Sequence, residues 1–226
     1  MRNALIIGSG GAIGKALVQH LRSSYRVSEL SRDNCDYTEQ DLATHASRLA
    51  ELGFFDLVIC CIGVLHSDYL SPEKRIAQFD PEKMLEYYRV NAVLPGLCLK
   101  TFTPLLKRPS GDLGISKFLV LSAMVGSIED NKLGGWYGYR SSKAALNMLL
   151  KTAAIEIGRI NKRAVLVAIH PGTTIGPLSK PFSGGVSKDK YYSPEESALR
   201  IVSVAESLDM QSNGTFLNWD GTQLAW

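Results

Sequence analysis

The sequence predicts a doubly wound α/β fold, in which helices cover both faces of a parallel sheet of about seven strands. Short apolar runs with strand character alternate along the chain with longer segments of helical periodicity, and this alternation is typical of strand–helix–strand units. The run Leu57-Val58-Ile59-Cys60-Cys61-Ile62 is continuously apolar, as a strand that is covered on both faces requires. The expected strands are 4–7, 26–30, 56–62, 116–121, 164–169 and 214–218.

The helical periodicity predicts helices at 13–22, 39–51, 81–107, 137–159 and 194–207. The last of these has the clearest start, because Ser193-Pro194-Glu195-Glu196 combines a capping box with a proline in the first turn. No linker, repeat or low-complexity segment interrupts the chain, so we expect residues 1–226 to form a single domain. The stretch from Pro177 to Tyr192 lacks core periodicity and follows a strand end, which indicates a lid.

Composition and charge exclude several classes of partner. The chain is 45% hydrophobic and has a net charge of +3, which is too small to argue for nucleic acid. No apolar run approaches the ~18 residues of a membrane span, and too few apolar residues follow Met1-Arg2-Asn3 for a signal peptide. We therefore expect a cytoplasmic protein that acts on a small molecule, without a nucleic-acid or membrane partner.

The four cysteines show no spacing of the kind that metal sites use. Cys60 and Cys61 are adjacent within an apolar strand pattern, and Cys35 and Cys98 stand alone. This distribution predicts buried, reduced thiols and no metal site.

A glycine-rich turn follows the first predicted strand. The run Gly8-Ser9-Gly10-Gly11-Ala12-Ile13-Gly14 leads from Ala4-Leu5-Ile6-Ile7 into a helical pattern. Glycines there let a pyrophosphate approach the main chain, where the amides at the start of the helix bind it. The spacing Gly-x-x-x-Ala-x-Gly differs from the commoner Gly-x-Gly-x-x-Gly, and glycines also mark ordinary strand-to-helix turns. The run predicts a dinucleotide site that contains Gly8, Gly10, Gly11, Ala12, Ile13 and Gly14.

The end of the second predicted strand bears on the choice of cofactor. The chain there reads Leu30-Ser31-Arg32-Asp33. The guanidinium of Arg32 is suited to a 2′-phosphate, which a carboxylate would repel, so NADP(H) is favoured over NAD(H). Two alternatives stay open: Arg32 is a solvated surface residue, or Asp33 binds the ribose of NAD(H).

Tyr139 and Lys143 form the candidate catalytic pair. They lie four residues apart in a helical segment and therefore share one face. An ammonium group near the phenol is expected to lower its pKa from about 10, so that the hydroxyl can transfer a proton during carbonyl reduction. Such pairs also arise by chance, so the position of this pair in the chain carries the inference.

The order of these motifs resembles the short-chain dehydrogenase/reductase superfamily from Ala4 to the C-terminus. The glycine turn and the Tyr-x-x-x-Lys pair match, and so do Arg89-Val90-Asn91-Ala92, His170-Pro171-Gly172 and Asp36-Tyr37-Thr38. Within the superfamily, three segments resemble the C-factor and carbonyl-reductase-like group: Val125-Gly126-Ser127-Ile128, Gly134-Gly135-Trp136-Tyr137 and Phe216-Leu217-Asn218-Trp219-Asp220-Gly221.

The resemblance implies a Rossmann domain that interconverts a carbonyl and an alcohol with NADP(H), and we expect a homodimer or homotetramer. Tyr139 would be the general acid/base, Lys143 would also hold the nicotinamide ribose, and Asn91 would position a proton-relay water. The implied cofactor site comprises, beside the glycine turn, Ser31, Arg32, Asp36, Tyr37, Gly63, Asn91, Tyr139, Lys143, Pro171, Gly172, Thr173 and Thr174.

The chain departs from the family pattern in several places. Cys60-Cys61-Ile62-Gly63 keeps only the glycine of the family's Asn-Asn-Ala-Gly. Three residues separate Arg32 from Asp36, too few for the usual helix between the second and third strands. In Ser122-Ala123-Met124-Val125-Gly126, alanine stands in the register of the family's serine.

The substrate-binding hydroxyl is therefore assigned from position. Ser122 is the candidate, because it ends a parallel strand, where open α/β sheets bind ligands; Ser127 is the alternative. Two other functions stay open: a cofactor-binding signalling or regulatory protein of the C-factor type with little or no turnover, and a nucleotide-free interaction scaffold, which the Tyr139 and Lys143 pair disfavours.

Overall fold

The computed structural model describes residues 1–176, 179 and 191–226. The strands are β1 Arg2–Ile7, β2 Tyr25–Leu30, β3 Leu57–Cys60, β4 Ser116–Leu121, β5 Ala164–His170, β6 Thr173–Thr174, β7 Tyr191–Tyr192 and β8 Phe216–Asn218. The helices are α1 Ala12–Leu21, α2 Glu39–Ala50, α3 Pro81–Tyr88, α4 Leu94–Phe102, α5 Tyr137–Ile160 and α6 Pro194–Ser207. Most of the predicted lid lies outside the described residues.

The predicted doubly wound α/β fold is confirmed. Within the described part of the chain, the main sheet has six parallel strands in the order β2-β1-β3-β4-β5-β8. The aliphatic residues of α1 and α6 cover one face of the sheet, and those of α2, α4 and α5 cover the other. Because the strand order reverses beside β1, a crevice opens at the carboxyl ends of β1 and β3.

The sheet is one strand smaller than expected. After β2 the chain passes through a short connection, Ser31–Thr38, directly into α2. No strand of the described residues pairs with the outer side of β2, so β2 forms the edge of the sheet. The connection after β2 is too short for a helix. A further parallel strand beside β2 would need such a helix as its crossover connection, so that strand is absent as well.

The predicted helix 81–107 is continuous but irregular. A π-helical turn, Arg89–Val93, joins α3 to α4, and a 3₁₀ turn, Thr103–Leu106, follows. A π-helical turn inserts an extra residue and often marks a functional site. Here it carries Asn91.

The capping box at α6 is confirmed. Ser193 Oγ accepts from the Glu196 amide at 3.0 Å, and Glu196 Oε2 accepts from the Ser193 amide at 2.7 Å. Among the described helices, none has the length and hydropathy that a bilayer crossing requires.

The four cysteines are free, and only Cys61 is not fully buried. Cys35, however, does not stand alone. Its sulfur lies with an Asp41 oxygen and a His45 ring nitrogen within 4.8 Å of one another. His45 Nε2 donates to the Asn34 carbonyl at 2.9 Å, and Asp41 Oδ2 accepts from the Asp36 amide at 2.8 Å. These bonds fasten the shortened connection onto α2.

The glycine turn generates a prediction about stability. A Cβ on Gly14 would overlap Gly8 O and lie 2.8 Å from Ser9 Cα, whereas a Cβ on Gly96 in α4 would meet Leu149 Cδ1 at 3.5 Å. We expect Gly14→Ala to lower the free energy of unfolding by about 1–3 kcal/mol, because the backbone must move. Gly96→Ala should raise it by about 0.5–1 kcal/mol, because alanine favours the helix.

Urea unfolding of both variants measures these changes. Equal stability of Gly14→Ala and the wild type would contradict the close approach of α1 to the glycine turn.

Candidate active site

The glycine turn brings the ends of β1 and β3 into contact. Gly8 has φ +81°, and a Cβ there would lie 3.1 Å from Cys61 C and 3.2 Å from Ile62 N. The following helix, α1, has Gly11 at its N-cap position, without a side-chain cap or an acidic residue in its first turn. Free N-terminal amides at such a turn attract an anionic group. These features fit the pyrophosphate of a dinucleotide.

The end of β2 lies against the same turn. Leu30 O accepts from the amides of Gly8 at 2.8 Å and Ser9 at 3.0 Å. Arg32 is exposed and forms no ion pair with any described residue. The neighbouring Asp33 instead accepts from Ser31 Oγ at 3.2 Å. Arg32 is therefore the cation that this strand end offers to a phosphate.

The Asp36-Tyr37-Thr38 element lies between β2 and α2, and the ring of Tyr37 points inward. Tyr37 has φ 57° and is buried, and its Oη donates to Leu30 O at 3.1 Å. Asp36 is exposed, and Thr38 caps α2 by accepting from the Asp41 amide. The side chain of Tyr37 thus anchors the core, and Asp36 presents the polar surface.

Tyr139 and Lys143 lie one turn apart on α5, as expected. Both are buried, and Lys143 Nζ lies 6.0 Å from the centroid of the Tyr139 ring. The ammonium donates to Leu121 O, at the end of β4, at 3.0 Å. This bond directs Lys143 towards the carboxyl ends of the strands.

Asn91 is the third member of the cluster. Its Oδ1 accepts from the Val64 amide at 2.7 Å, and its Nδ2 donates to Val64 O at 2.9 Å and to Ser142 Oγ at 3.0 Å. A Cβ on Gly63 would lie 3.1 Å from Lys143 Nζ and 3.4 Å from Asn91 Oδ1. The absence of a side chain at Gly63 therefore leaves room for both the ammonium of Lys143 and the amide of Asn91.

The electrostatics of the pair differ from the sequence expectation. Burial raises the pKa of Tyr139 above its usual value of 10. Burial also lowers the pKa of Lys143 to about 8, while Cys60 and Cys61 act in the opposite direction. The expected lowering of the phenol pKa is absent, because the ammonium is directed to Leu121 O and removal of the phenol from water dominates.

Both candidate serines already have hydrogen-bond partners. Ser122 Oγ donates to Asn147 Oδ1 at 2.6 Å, two helical turns beyond Tyr139. Ser127 Oγ donates to Trp226 O at 3.2 Å. Ala123, in contrast, packs in the cluster that contains Tyr139. Successive residues of an extended chain point to opposite sides, which explains why Ser122 contacts Asn147 while Ala123 packs in the cluster with Tyr139.

The segment after β5 passes over the glycine turn. A Cβ on Gly176 would lie 3.4 Å from the Cβ of Ala12. Thr174 Oγ1 shares a hydrogen bond with Ser197 Oγ at 2.7 Å, and Thr173 pairs with Tyr191. The Pro171–Thr174 segment is thus brought to the predicted cofactor site.

Sequence reasoning missed two buried polar residues near the pair. Asn147 follows Lys143 by one helical turn and holds Ser122; its Nδ2 has no hydrogen-bond partner among the described residues. The helical spacing from Tyr139 and Lys143 was the signal for it. Glu73, from the loop before α3, contacts the start of α5. It lies 65 residues away from Gly138, so no local pattern reveals it.

Comparisons with known proteins bear on this arrangement. No family model matches the chain. It is 29% identical over 193 residues to a 1-hydroxy-2-glutathionyl-2-methyl-3-butene dehydrogenase of Rhodococcus sp. (strain AD45), covering 84% of this chain and 78% of that protein. It is 29% identical over 228 residues to the short chain dehydrogenase gsfK of Penicillium aethiopicum, covering 95% of this chain and 82% of that one.

Solved structures share the fold at lower identity. The NADPH-bound carbonyl reductase from chicken fatty liver superposes with a TM-score of 0.83 at 23% identity, over 100% of this chain and 99% of that one. The carbonyl reductase Sniffer of D. melanogaster gives 0.81 at 22%, over 100% of both chains. The chain is thus similar over most of its length to named short-chain dehydrogenases and shares the fold of solved carbonyl reductases. These similarities support an oxidoreductase of the short-chain dehydrogenase/reductase superfamily.

Proposed function

We propose that residues 1–226 form one NADP(H)-dependent domain that interconverts a carbonyl and an alcohol by hydride transfer, within the C-factor and carbonyl-reductase-like group. The observation that carries this proposal is the burial of Tyr139, Lys143 and Asn91 together, at the same edge of the sheet as the uncapped start of α1. The NADPH-bound carbonyl reductase that shares the fold supports the choice of cofactor.

The residues divide the binding of the cofactor among them. The amides of the glycine turn and of the first turn of α1 bind the pyrophosphate. Arg32 binds the 2′-phosphate of the adenosine ribose, and Lys143 holds the nicotinamide ribose. Thr173 and Thr174 supply hydroxyls at the nicotinamide end. When bound, NADPH supplies the hydride.

Tyr139 performs the proton transfer. Its phenolic O–H bond breaks as the proton passes to the carbonyl oxygen, and the alcohol O–H bond forms. The raised pKa of Tyr139 keeps the phenol protonated at neutral pH, which suits the direction of reduction. Asn91, held on both sides of its amide by Val64, positions a water that returns a proton towards Lys143 and Tyr139.

Ser122 is proposed to bind the substrate oxygen, at the cost of its bond to Asn147. That bond also favours the second candidate function, a cofactor-binding regulatory or signalling protein with little turnover. In that case Ser122 stays bonded to Asn147, and Ala123, which packs near Tyr139, has no hydroxyl to bind a substrate oxygen.

The central test replaces the proton donor. Tyr139→Phe should lower NADPH-dependent turnover of a carbonyl substrate by at least ~100-fold, the usual scale for a positioned acid/base group, and should leave NADPH affinity unchanged. A panel of aldehydes and ketones, followed by loss of NADPH absorbance, supplies the substrate. Tyr25→Phe is the control, because it removes the hydroxyl of a buried tyrosine at the amino-terminal end of β2, away from the carboxyl ends of the strands.

Wild-type turnover in Tyr139→Phe would remove this residue from the mechanism. NADPH binding by the wild type without turnover of any carbonyl would instead support the regulatory candidate.

A second pair of variants separates the two serines. If Ser122 binds the substrate oxygen, Ser122→Ala should reduce turnover by ~10–1000-fold, the range for removal of one stabilising donor, while Ser127→Ala leaves it unchanged. The reverse result would assign Ser127. If both variants keep full turnover, the site works without a serine, and the hydroxyl of Ser122 serves only to join β4 to α5.

A third prediction concerns Arg32. A charge-assisted contact to a phosphate contributes roughly 1.5–3 kcal/mol, so NADPH should bind at least ~10-fold more tightly than NADH. Arg32→Ala should remove most of this difference by weakening NADPH alone. Arg26→Ala, an exposed arginine on the same strand, should preserve it. Calorimetric titration of both cofactors measures the ratio, and equal affinities in the wild type would contradict the assignment.

A further inference from the structure

The first turn of α5, which carries Tyr139, is not capped by its own side chains. Trp136, at the N-cap position, has φ 53° and ψ 44° and makes no capping hydrogen bond to the turn. Gly134 and Gly135 before it also have positive φ, 66° and 67°. A left-handed conformation strains a non-glycine residue, and the amides of a helix start need acceptors. The start of α5 therefore depends on contacts from elsewhere in the chain.

Glu73 supplies two of these acceptors. Its main-chain oxygen accepts from the Trp136 amide, and its Oε2 accepts from the Gly138 amide at 3.1 Å. The residue is only 4% exposed, and none of the described residues hydrogen-bonds to its Oε1. A buried carboxylate with few donors is costly. The positive end of the α5 dipole offsets part of this cost, which accounts for a carboxylate at this place.

Gly138, which directly precedes Tyr139, is closely packed on two sides. A Cβ on Gly138 would lie 2.8 Å from Tyr87 Cε2 and 3.1 Å from Glu73 Oε1. Tyr87 is fully buried, and its Oη donates to Leu65 O at 2.7 Å. Because neither neighbour has room to move, the backbone of Gly138 is fixed directly before Tyr139.

We infer that Glu73 is a positioning residue, whose carboxylate binds the Gly138 amide and thereby holds the Tyr139 hydroxyl in its place beside Lys143. This inference rests on the proposed role of Tyr139 in proton transfer. Glu73 itself touches neither substrate nor cofactor and acts through the first turn of α5. A small displacement of this turn is enough to matter, because proton transfer depends steeply on the distance between the reacting atoms.

Three variants separate the contact from the charge. Glu73→Gln keeps the length and an acceptor oxygen, Glu73→Asp keeps the charge but shortens the side chain, and Glu73→Ala removes both. We expect kcat with NADPH to fall about 10- to 100-fold in the Ala and Asp variants, the scale of a misplaced reacting group, and to stay within about threefold in Gln. The Kd of NADPH should be unchanged in all three.

Two further measurements distinguish positioning from general loss of stability. In the Tyr139→Phe background, Glu73→Ala should not lower the residual turnover again, because residues that act through one group are not additive. Hydrogen exchange at the Gly138 amide should accelerate in the Ala and Asp variants but not in the second half of α5. Since exchange needs no substrate, failure of this inference is distinguishable from failure of the proposed function, which shows as absent turnover in the wild type.

Asp209→Ala is the matched control. Asp209 also caps a helical turn, accepting from the amides of Gln211 at 2.9 Å and Ser212 at 3.1 Å, but at the amino-terminal edge of the sheet. Its kcat should equal that of the wild type. If Glu73→Ala does not fold, the comparison of Gln with Asp decides. If Glu73→Asp has the same kcat and the same exchange rate at the Gly138 amide as the wild type, the inference is overturned. It is also overturned if Glu73→Gln is impaired while Glu73→Asp is not.

Discussion

The structure depends on the burial of one ammonium group, that of Lys143, among the ends of the central strands. A buried charge must have a polar partner, and Leu121 O provides it. The space for the side chain comes from residues that have none: a Cβ on Gly63 would lie 3.1 Å from Nζ, and one on Gly126 would lie 2.8 Å from the Cβ of Lys143. The strand ends and α5 are therefore fitted around this lysine.

The same requirement explains the π-helical turn between α3 and α4. The extra residue of the turn directs the Asn91 side chain inward, where its amide bonds to both polar groups of the Val64 backbone. Ser142, on the α5 face beside Lys143, accepts from the same amide. A regular helix would carry Asn91 to another face. The irregularity thus connects β3, the helix and α5 into one polar cluster within an apolar core.

The opposite wall of the site is apolar and tightly packed. Leu65, Leu70, Tyr87, Ala123 and Tyr139 form one buried cluster, and Glu73 closes it at the start of α5. Burial in this cluster raises the pKa of the Tyr139 phenol. Burial likewise lowers the pKa of Lys143, one helical turn away. Desolvation therefore shifts both groups towards their neutral forms.

The sequence by itself determined the fold class, most strand positions, the capping box and the pairing of Tyr139 with Lys143, because all of these depend on residues close together in the chain. Helical spacing places two side chains on one face whatever surrounds them. Only the tertiary structure decided the missing edge strand, the orientation of Ser122 towards Asn147, the inward ring of Tyr37 and the contact of Glu73 with Gly138. These features arise where segments distant in sequence meet, and the direction in which a side chain points there is set by packing and by the need of buried polar groups for partners.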